Sequence, residues 1–258
     1  MPPHCPSPSP IANLLRRRTR RTRHAGRLTA AAVAVLLASL VTTSALAIDL
    51  ETARPPLEIL DHQVTSGGRT LQLPDGHWFL VDHQVVPVGG GAPASVGPID
   101  AAYLVEVEDD AVVLAARLWI LRNDYRNAAW DPTPCAGEGD IYMKEHSSVI
   151  GQPDCVAVWG KHGHGVAHYL RFSKPALAWL DARGVQLPDD VVGIKVSRFA
   201  TNTFGVVLLA VPAEHFDSNA AVIDWAESLR RALKPLLEHR DNEGRLPPLP
   251  PAQAASQP

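Results

Sequence analysis

Residues 16–47 constrain this chain most, because they predict the compartment in which the rest of it folds. Seven arginines between positions 16 and 27, with no acidic residue among them, precede an uncharged run over residues 28–47 that is rich in Ala, Val and Leu. The run ends in Ala45, Leu46 and Ala47, the small-x-small pattern at which a signal peptidase cleaves. The sequence therefore predicts a signal peptide over residues 1–47, cleavage after Ala47, and a periplasmic or secreted mature chain.

An uncleaved membrane anchor is the alternative interpretation of the same run. Its 20 residues are about the length that a helix needs to cross a bilayer. Against an anchor, Thr42, Thr43 and Ser44 interrupt the apolar character, and the densest part, residues 30–41, has the length of a signal-peptide core. Under either interpretation the arginines stay cytoplasmic and the rest is exported. A membrane contact is expected only through this segment, if cleavage fails.

Loss of the leader makes the chain acidic. Removing its seven arginines from the 24 basic residues leaves 17, against 27 acidic residues, so the mature chain carries about ten net negative charges. Such a surface repels phosphate backbones, and we expect no nucleic-acid partner. The expected partner is an unidentified envelope protein or a small ligand.

Two cysteines, Cys135 and Cys155, remain after cleavage and lie twenty positions apart. An even number of cysteines in an oxidising compartment favours a disulfide. In the chain-entropy description, closing a loop of this size stabilises a fold by about 3 kcal/mol. A metal-thiolate pair or a redox site is the alternative, but the C-x-x-C spacing that would support either is missing.

Short segments in which apolar and polar residues alternate predict strands in the mature chain. The turn at Pro74, Asp75 and Gly76 separates two of them, and Asp109 and Asp110 lie at the tip of a predicted hairpin. The clearest strand patterns cover residues 77–86, 102–108, 112–122, 191–200 and 204–211. Several short strands of this kind predict an antiparallel sheet of five or more strands.

Helical patterns are concentrated late in the chain. Ser173 is a suitable cap for a helix over residues 174–183, and Asp217 or Ser218 for a later helix that contains Pro235. We therefore predict an α+β fold in which the two C-terminal helices pack on one face of the sheet. The predicted organisation is a linker over residues 48–56, a single domain over 57–240, and a disordered proline-rich tail over 241–258.

Three imidazoles, His162, His164 and His168, lie within seven positions and form a candidate metal site. The alternative is a flexible, glycine-containing loop whose histidines are exposed to solvent and bind no metal. No HExxH motif, paired cysteine or carboxylate at ligand spacing accompanies them, which favours the exposed loop. We therefore expect no cofactor, with a metal ion as the alternative.

The run of residues 71–78, the spacing of Cys135 and Cys155, and the closing hairpin and helix with Trp225 resemble a loose group of exported bacterial proteins of unknown function. The resemblance implies a compartment and no activity.

Three classes of function remain open at this point. The favoured one is a non-catalytic envelope protein that binds a partner or ligand through its acidic surface, because G-x-S-x-G, S-x-x-K and HExxH signatures are missing. The second is a metal-binding protein that uses the histidine cluster. The third is an enzyme with a dispersed site, for instance His83 or His146 with Asp140. We therefore predict no individual catalytic residue.

Overall fold

A large antiparallel sheet forms the centre of the computed structural model, which describes residues 47–87, 98–124, 135, 139–147, 149, 152–160, 165–200, 202–238 and 243–252. These residues belong to one compact unit, residues 45–258. The strands are β1 (Ile48–Asp49), β2 (Leu57–Glu58), β3 (Gln63–Ser66), β4 (Arg69–Gln72), β5 (Trp78–Val86), β6 (Ile99–Glu108), β7 (Ala111–Leu121), β8 (Tyr142–Glu145), β9 (Asp154–Trp159), β10 (Val191–Phe199), β11 (Phe204–Pro212) and β12 (Glu243–Arg245). The helices are α1 (Gly165–Leu170), α2 (Lys174–Ala182) and α3 (Asn219–Glu238), with a 3₁₀ turn at Ala213–His215.

The large sheet has eight described strands in the order β2-β5-β6-β7-β11-β10-β9-β8, and each neighbouring pair is antiparallel. This confirms the predicted α+β class and the antiparallel sheet of five or more strands. Asp109 and Asp110, at the tip of the β6–β7 hairpin, have φ angles of 48° and 61°. Two successive left-handed residues are what a tight two-residue hairpin requires.

The two faces of the large sheet are covered by different elements. On β6, Leu104 packs into the main core with Leu229 and Leu233 of α3, whereas Tyr103 and Val105 pack with the residues of α1 and α2. Because successive strand residues point to opposite faces, α2 and α3 lie on opposite faces of the sheet. The prediction that both helices pack on one face is therefore corrected. Both faces of the central strands are apolar, so helices must shield each face from solvent.

A smaller sheet, in the order β1-β3-β4-β12, brings the two ends of the described chain together. The predicted linker is wrong at its start, because β1 pairs in parallel with β3 and Leu50 is 1% exposed. The prediction of a disordered tail is wrong for residues 243–252. Strand β12 pairs in parallel with β4, and Leu246 is also 1% exposed. Both segments are ordered by long-range pairing rather than by local pattern.

The predicted helix caps are present. The hydroxyl groups of Ser173 and Ser218 accept hydrogen bonds of 3.2 Å from the backbone N–H groups of Ala176 and Ala221. Helix α3 continues through Pro235 to Glu238, one turn beyond the proline. In the part of the chain described, no helix combines the length and apolar character needed to cross a membrane. The predicted signal peptide, residues 1–47, lies outside the described residues except for Ala47.

Candidate functional site

The predicted metal ligands fall outside the residues whose side chains the structure describes. His162 and His164 are not described, and His168 contributes only its backbone to α1. Within the described ranges, no group of three His, Cys, Asp or Glu side chains is arranged to hold a metal ion. The metal site therefore stays a prediction.

The predicted disulfide is present between Cys135 and Cys155, with the sulfur atoms 2.11 Å and the Cα atoms 5.8 Å apart. Cys155 lies in β9, near the edge of the large sheet that β8 forms. The bridge therefore ties Cys135 to this edge.

Both histidines considered for a dispersed catalytic site contact carboxylates other than Asp140. Nε2 of His83 lies 2.8 Å from Asp100, and Nε2 of His146 lies 2.9 Å from Glu227. One carboxylate oxygen of Asp140 accepts a 2.7 Å hydrogen bond from the backbone N–H of Gly160. The two histidines are thus placed in two separate polar clusters.

The first of these, the Asp100 cluster, consists of Asp100, Ser66, His83 and Arg122. Asp100 is fully buried and accepts a 2.6 Å hydrogen bond from the Ser66 hydroxyl. Arg122 donates through Nε at 2.9 and 3.0 Å and through Nη2 at 2.7 Å. Ser66 bonds the aspartate and not the histidine, so the serine–histidine contact of a nucleophilic triad is not formed.

Burial alone would raise the pKa of Asp100, but hydrogen bonds from His83, Arg122 and Ser66 outweigh it and hold the pKa at about 2. Arg69, also buried, extends this polar region by donating to the backbone carbonyl of Leu121 at 2.9 Å and to the Thr203 hydroxyl at 2.7 Å. These contacts join β4 of the small sheet to β7 of the large sheet. The Asp100 cluster is therefore structural: the Asp100–Arg122 ion pair lies within the large sheet, and the Ser66 hydroxyl connects it to β3 of the small sheet.

The second cluster joins α3 to strand β8 at the disulfide-bonded edge. The Tyr142 hydroxyl donates to Glu227 at 2.8 Å, and His146 contacts the same carboxylate oxygen. Burial, and then the hydrogen bond and charge of Glu227, raise the pKa of Tyr142 to about 12. Hydrogen bonds from Tyr142 and His146 outweigh burial and lower the pKa of Glu227. The groups satisfy one another, which is the arrangement of a structural network.

A cleft at the opposite end of β6 from Asp100 differs from both clusters. We call it the acidic cleft: it has a volume of about 420 Å³, and its titratable lining groups are Asp75, Glu106, Glu108 and His215. Residues 248–252 of the C-terminal segment form one wall. A second cleft of about 380 Å³ shares Pro74, Asp75 and Pro248 with it, so the two clefts are neighbours.

Glu106 is held at the acidic cleft by strand geometry and by a glycine. Glu106 follows Ala102 and Leu104 along β6 at intervals of two residues. The side chains of those two residues are in the main core, so the side chain of Glu106 lies on the same face of the strand. Gly76, with φ of 155°, lies directly against it, and a Cβ at that position would overlap the carboxylate. Any side chain at position 76 would therefore displace Glu106.

The carboxyl of Glu106 has no compensating partner in the described part of the chain, where no hydrogen bond or ion pair reaches it. Burial, and then the negative charge of Glu108, raise its pKa from the usual 4.5 to about 7, with His62 acting weakly in the opposite direction. The group therefore titrates near neutral pH while facing a cleft, a combination that marks candidate binding and catalytic groups.

Sequence reasoning missed Glu106. Glu106 and Glu108 both appear as the polar partners of an alternating strand, a pattern that predicts solvent exposure. The sequence did contain a signal: Ala102, Leu104 and Glu106 are spaced two residues apart, which places Glu106 on the same face of β6 as two apolar residues. The proline-rich composition of the tail did not indicate that it would form a wall of this cleft.

Comparison with known proteins gives no further guide to this site, because no protein-family model, curated protein or solved structure matches the chain.

Proposed function

We propose that this protein is a non-catalytic binding domain of the cell envelope, whose acidic cleft holds a positively charged group of its ligand. The observation that carries the proposal is the Glu106 carboxyl, half-buried at the cleft and without a donor among the described residues. A carboxylate in that environment gains most from a cation, since an opposite charge favours its ionised form.

The rest of the lining supports a cationic ligand. Asp75 and Glu108 add two more carboxyl groups, and none of the described residues lining the cleft is a lysine or arginine. A volume of about 420 Å³ is in the range of sites that take small molecules or single side chains. The acidity of the chain after residue 47 would also attract a cation over a distance. The ligand class we propose is an ammonium or guanidinium group, on a small molecule or on a partner's side chain.

Export is part of the proposal. It is supported by the arginine-rich leader with its Ala45 to Ala47 ending, and by the Cys135–Cys155 bridge, which persists in oxidising compartments. N-terminal sequencing of protein from the native envelope should begin at Ile48. A sequence beginning at Met1 in cytosolic material would contradict export.

The binding proposal is tested by calorimetry with N-acetylarginine amide and its neutral isostere, N-acetylcitrulline amide. We expect the arginine probe to bind at pH 8 at least tenfold more tightly than the citrulline probe, and more weakly at pH 5.5, where Glu106 is protonated. Glu106→Gln should remove the preference. Glu58→Gln is the matched control, because it removes an equal charge at an exposed position that lines neither cleft.

Equal affinity for the two probes, or a preference for arginine that survives Glu106→Gln, would contradict the proposed role of the cleft.

A further inference from the structure

The C-terminal segment that walls the acidic cleft lies on an aromatic surface of its own. The surface, here called the Trp225 groove, consists of His215 in the 3₁₀ turn, Phe216 directly after it, and Trp225 on α3. Phe216 and Trp225 contact edge to face, with ring centroids 6.0 Å apart. Nε1 of Trp225 donates to the carbonyl of Pro248 at 3.0 Å, and Nδ1 of His215 lies 2.7 Å from the carbonyl of Pro250.

Both of these contacts are made to backbone carbonyl groups of the segment and not to its side chains. A carbonyl oxygen only accepts, so His215 must carry its proton on Nδ1 to make the bond. The two accepting carbonyls belong to prolines two positions apart in the run Leu246-Pro-Pro-Leu-Pro-Pro251. Proline fixes φ near −65° and keeps the residue before it out of the helical region, so this run is extended before it binds.

A tryptophan N–H directed at a carbonyl of an extended proline-rich segment, beside a second aromatic ring, is the arrangement by which proteins recognise polyproline ligands. The stiffness of such a ligand keeps the entropy cost of binding small. Leu249 adds a side chain that packs against the main core from a partly buried position.

The start of the segment is held by strand pairing and by burial. Strand β12 and Leu246, which is 1% exposed and donates its N–H to Gln72 at 2.8 Å, fix its start. Beyond that point Pro248, Pro251 and Ala252 are exposed. The outer part, residues 247–252, can therefore leave the groove while β12 stays paired.

We propose that the Trp225 groove is a recognition site for proline-rich, extended segments, and that the chain's own residues 247–252 occupy it as an intramolecular ligand. The partner that fits is a proline-rich segment of another protein, which would replace the outer part of the tail. This inference does not depend on the cationic ligand of the acidic cleft.

The test uses the full-length chain and a fluorescent peptide of sequence LPPLPPA, which reproduces residues 246–252. In wild-type protein the tethered segment competes at a millimolar effective concentration, so we expect weak binding of the peptide. Leu249→Asp removes the partly buried packing of the tail. We expect this variant to bind the peptide at least tenfold more tightly than wild type.

Two controls make the result specific. Trp225→Phe, added to Leu249→Asp, keeps an aromatic ring but removes the N–H, and should weaken peptide binding about threefold to tenfold, the range of one hydrogen bond. A peptide with alanine in place of each proline should bind at least tenfold more weakly than LPPLPPA. Equal binding by wild type and a folded Leu249→Asp variant, no effect of Trp225→Phe, or equal binding of the alanine peptide would overturn the proposal.

If Leu249→Asp does not fold, the wild-type protein decides the question by NMR. Millimolar LPPLPPA should move the indole N–H resonance of Trp225, assigned by its loss in Trp225→Phe. An indole resonance that does not move with up to about 5 mM peptide, which matches the effective concentration of the tail, overturns the inference.

Discussion

Asp100 and Glu106 lie on the same strand and the same face of the large sheet, yet the pKa of the first is lowered and the pKa of the second is raised. They are six positions apart on β6, a distance of about 20 Å. Asp100 is fully buried and Glu106 is half-buried, so burial acts on both pKa values in the same direction. The difference lies in their neighbours. Ser66, His83 and Arg122 contact the carboxylate of Asp100, whereas the charge of a second carboxylate, Glu108, acts on Glu106.

The comparison shows how one sheet face can hold a structural carboxylate and an available one. Asp100 has its hydrogen bonds satisfied within the fold, so it can stabilise the contact between the two sheets and has little capacity for a ligand. Glu106 is costly to ionise in the free protein, and a ligand that supplies a positive charge removes that cost. The following predictions test each half of this comparison.

The largest effect is expected from Asp100→Asn. The change leaves Arg122 without its carboxylate partner inside the structure, and removal of one member of a buried ion pair costs about 3–5 kcal/mol. The measurement is the free energy of unfolding in urea at pH 7. Asp181→Asn, at an exposed position on α2, is the matched control and should change it by less than about 0.5 kcal/mol. A loss below about 1 kcal/mol for Asp100→Asn contradicts the structural role.

Arg122→Met should make Asp100 resemble Glu106. The aspartate keeps His83 and Ser66 but loses the guanidinium, so its pKa should rise from about 2. We expect the free energy of unfolding at pH 7 to fall by about 2–3 kcal/mol, and the loss to shrink as the pH approaches 3, where the carboxyl of the variant is protonated. Arg231→Met, exposed on α3, is the control. A loss that is the same at pH 3 and pH 7 would show that Asp100 does not titrate as described.

Glu106→Gln should stabilise the free protein in alkaline solution. The pKa of Glu106 in the fold, about 7, exceeds the usual 4.5, so the folded state holds a proton that the unfolded state releases. Its contribution to stability is fully present below pH 4.5 and is lost as the pH rises through 7. At pH 8 we expect the variant to be about 1–2 kcal/mol more stable than wild type, and at pH 4 equally stable. A variant that is less stable than wild type at pH 8 contradicts an uncompensated carboxylate.

Glu108→Gln should give the smallest effect. The charge of Glu108 is the second cause of the raised pKa of Glu106, after burial, so its removal should lower that pKa only in part. We expect a gain in stability at pH 8 of a few tenths of a kcal/mol, as is typical of exposed charges. The urea unfolding of Glu106→Gln with and without Glu108→Gln measures the coupling, which should vanish when position 106 is already neutral.

Local pattern predicted the parts of the fold that local contacts determine. The hairpin tip at Asp109 and Asp110, the caps Ser173 and Ser218, and the strands with clear alternation are confirmed. The cysteine count predicted the Cys135–Cys155 bridge, because only two cysteines follow the predicted leader and can pair in an oxidising compartment. The antiparallel kind of the large sheet was also predictable, because β5 and β6, β6 and β7, β8 and β9, and β10 and β11 are consecutive strands that pair with each other.

Pairing between distant segments was not predictable. Strand β2 (Leu57–Glu58) belongs to the large sheet, whereas β3 (Gln63–Ser66), which follows it closely in the chain, belongs to the small one. The tail reads as disordered because prolines dominate it, whereas Leu246 and Trp225 fix it through contacts across the chain. Because that tail forms one wall of the acidic cleft, the residues that line the cleft could not be predicted from the strand that carries Glu106.

The most direct test of the account is the pKa of Glu106 itself. Carbon-13 NMR titration of the side-chain carboxyl, assigned by comparison with Glu106→Gln, measures it in the free, folded protein. We expect a midpoint near pH 7. A midpoint near the usual 4.5 would show that Glu106 is solvated or already paired, and would contradict the acidic cleft as a site awaiting a cation.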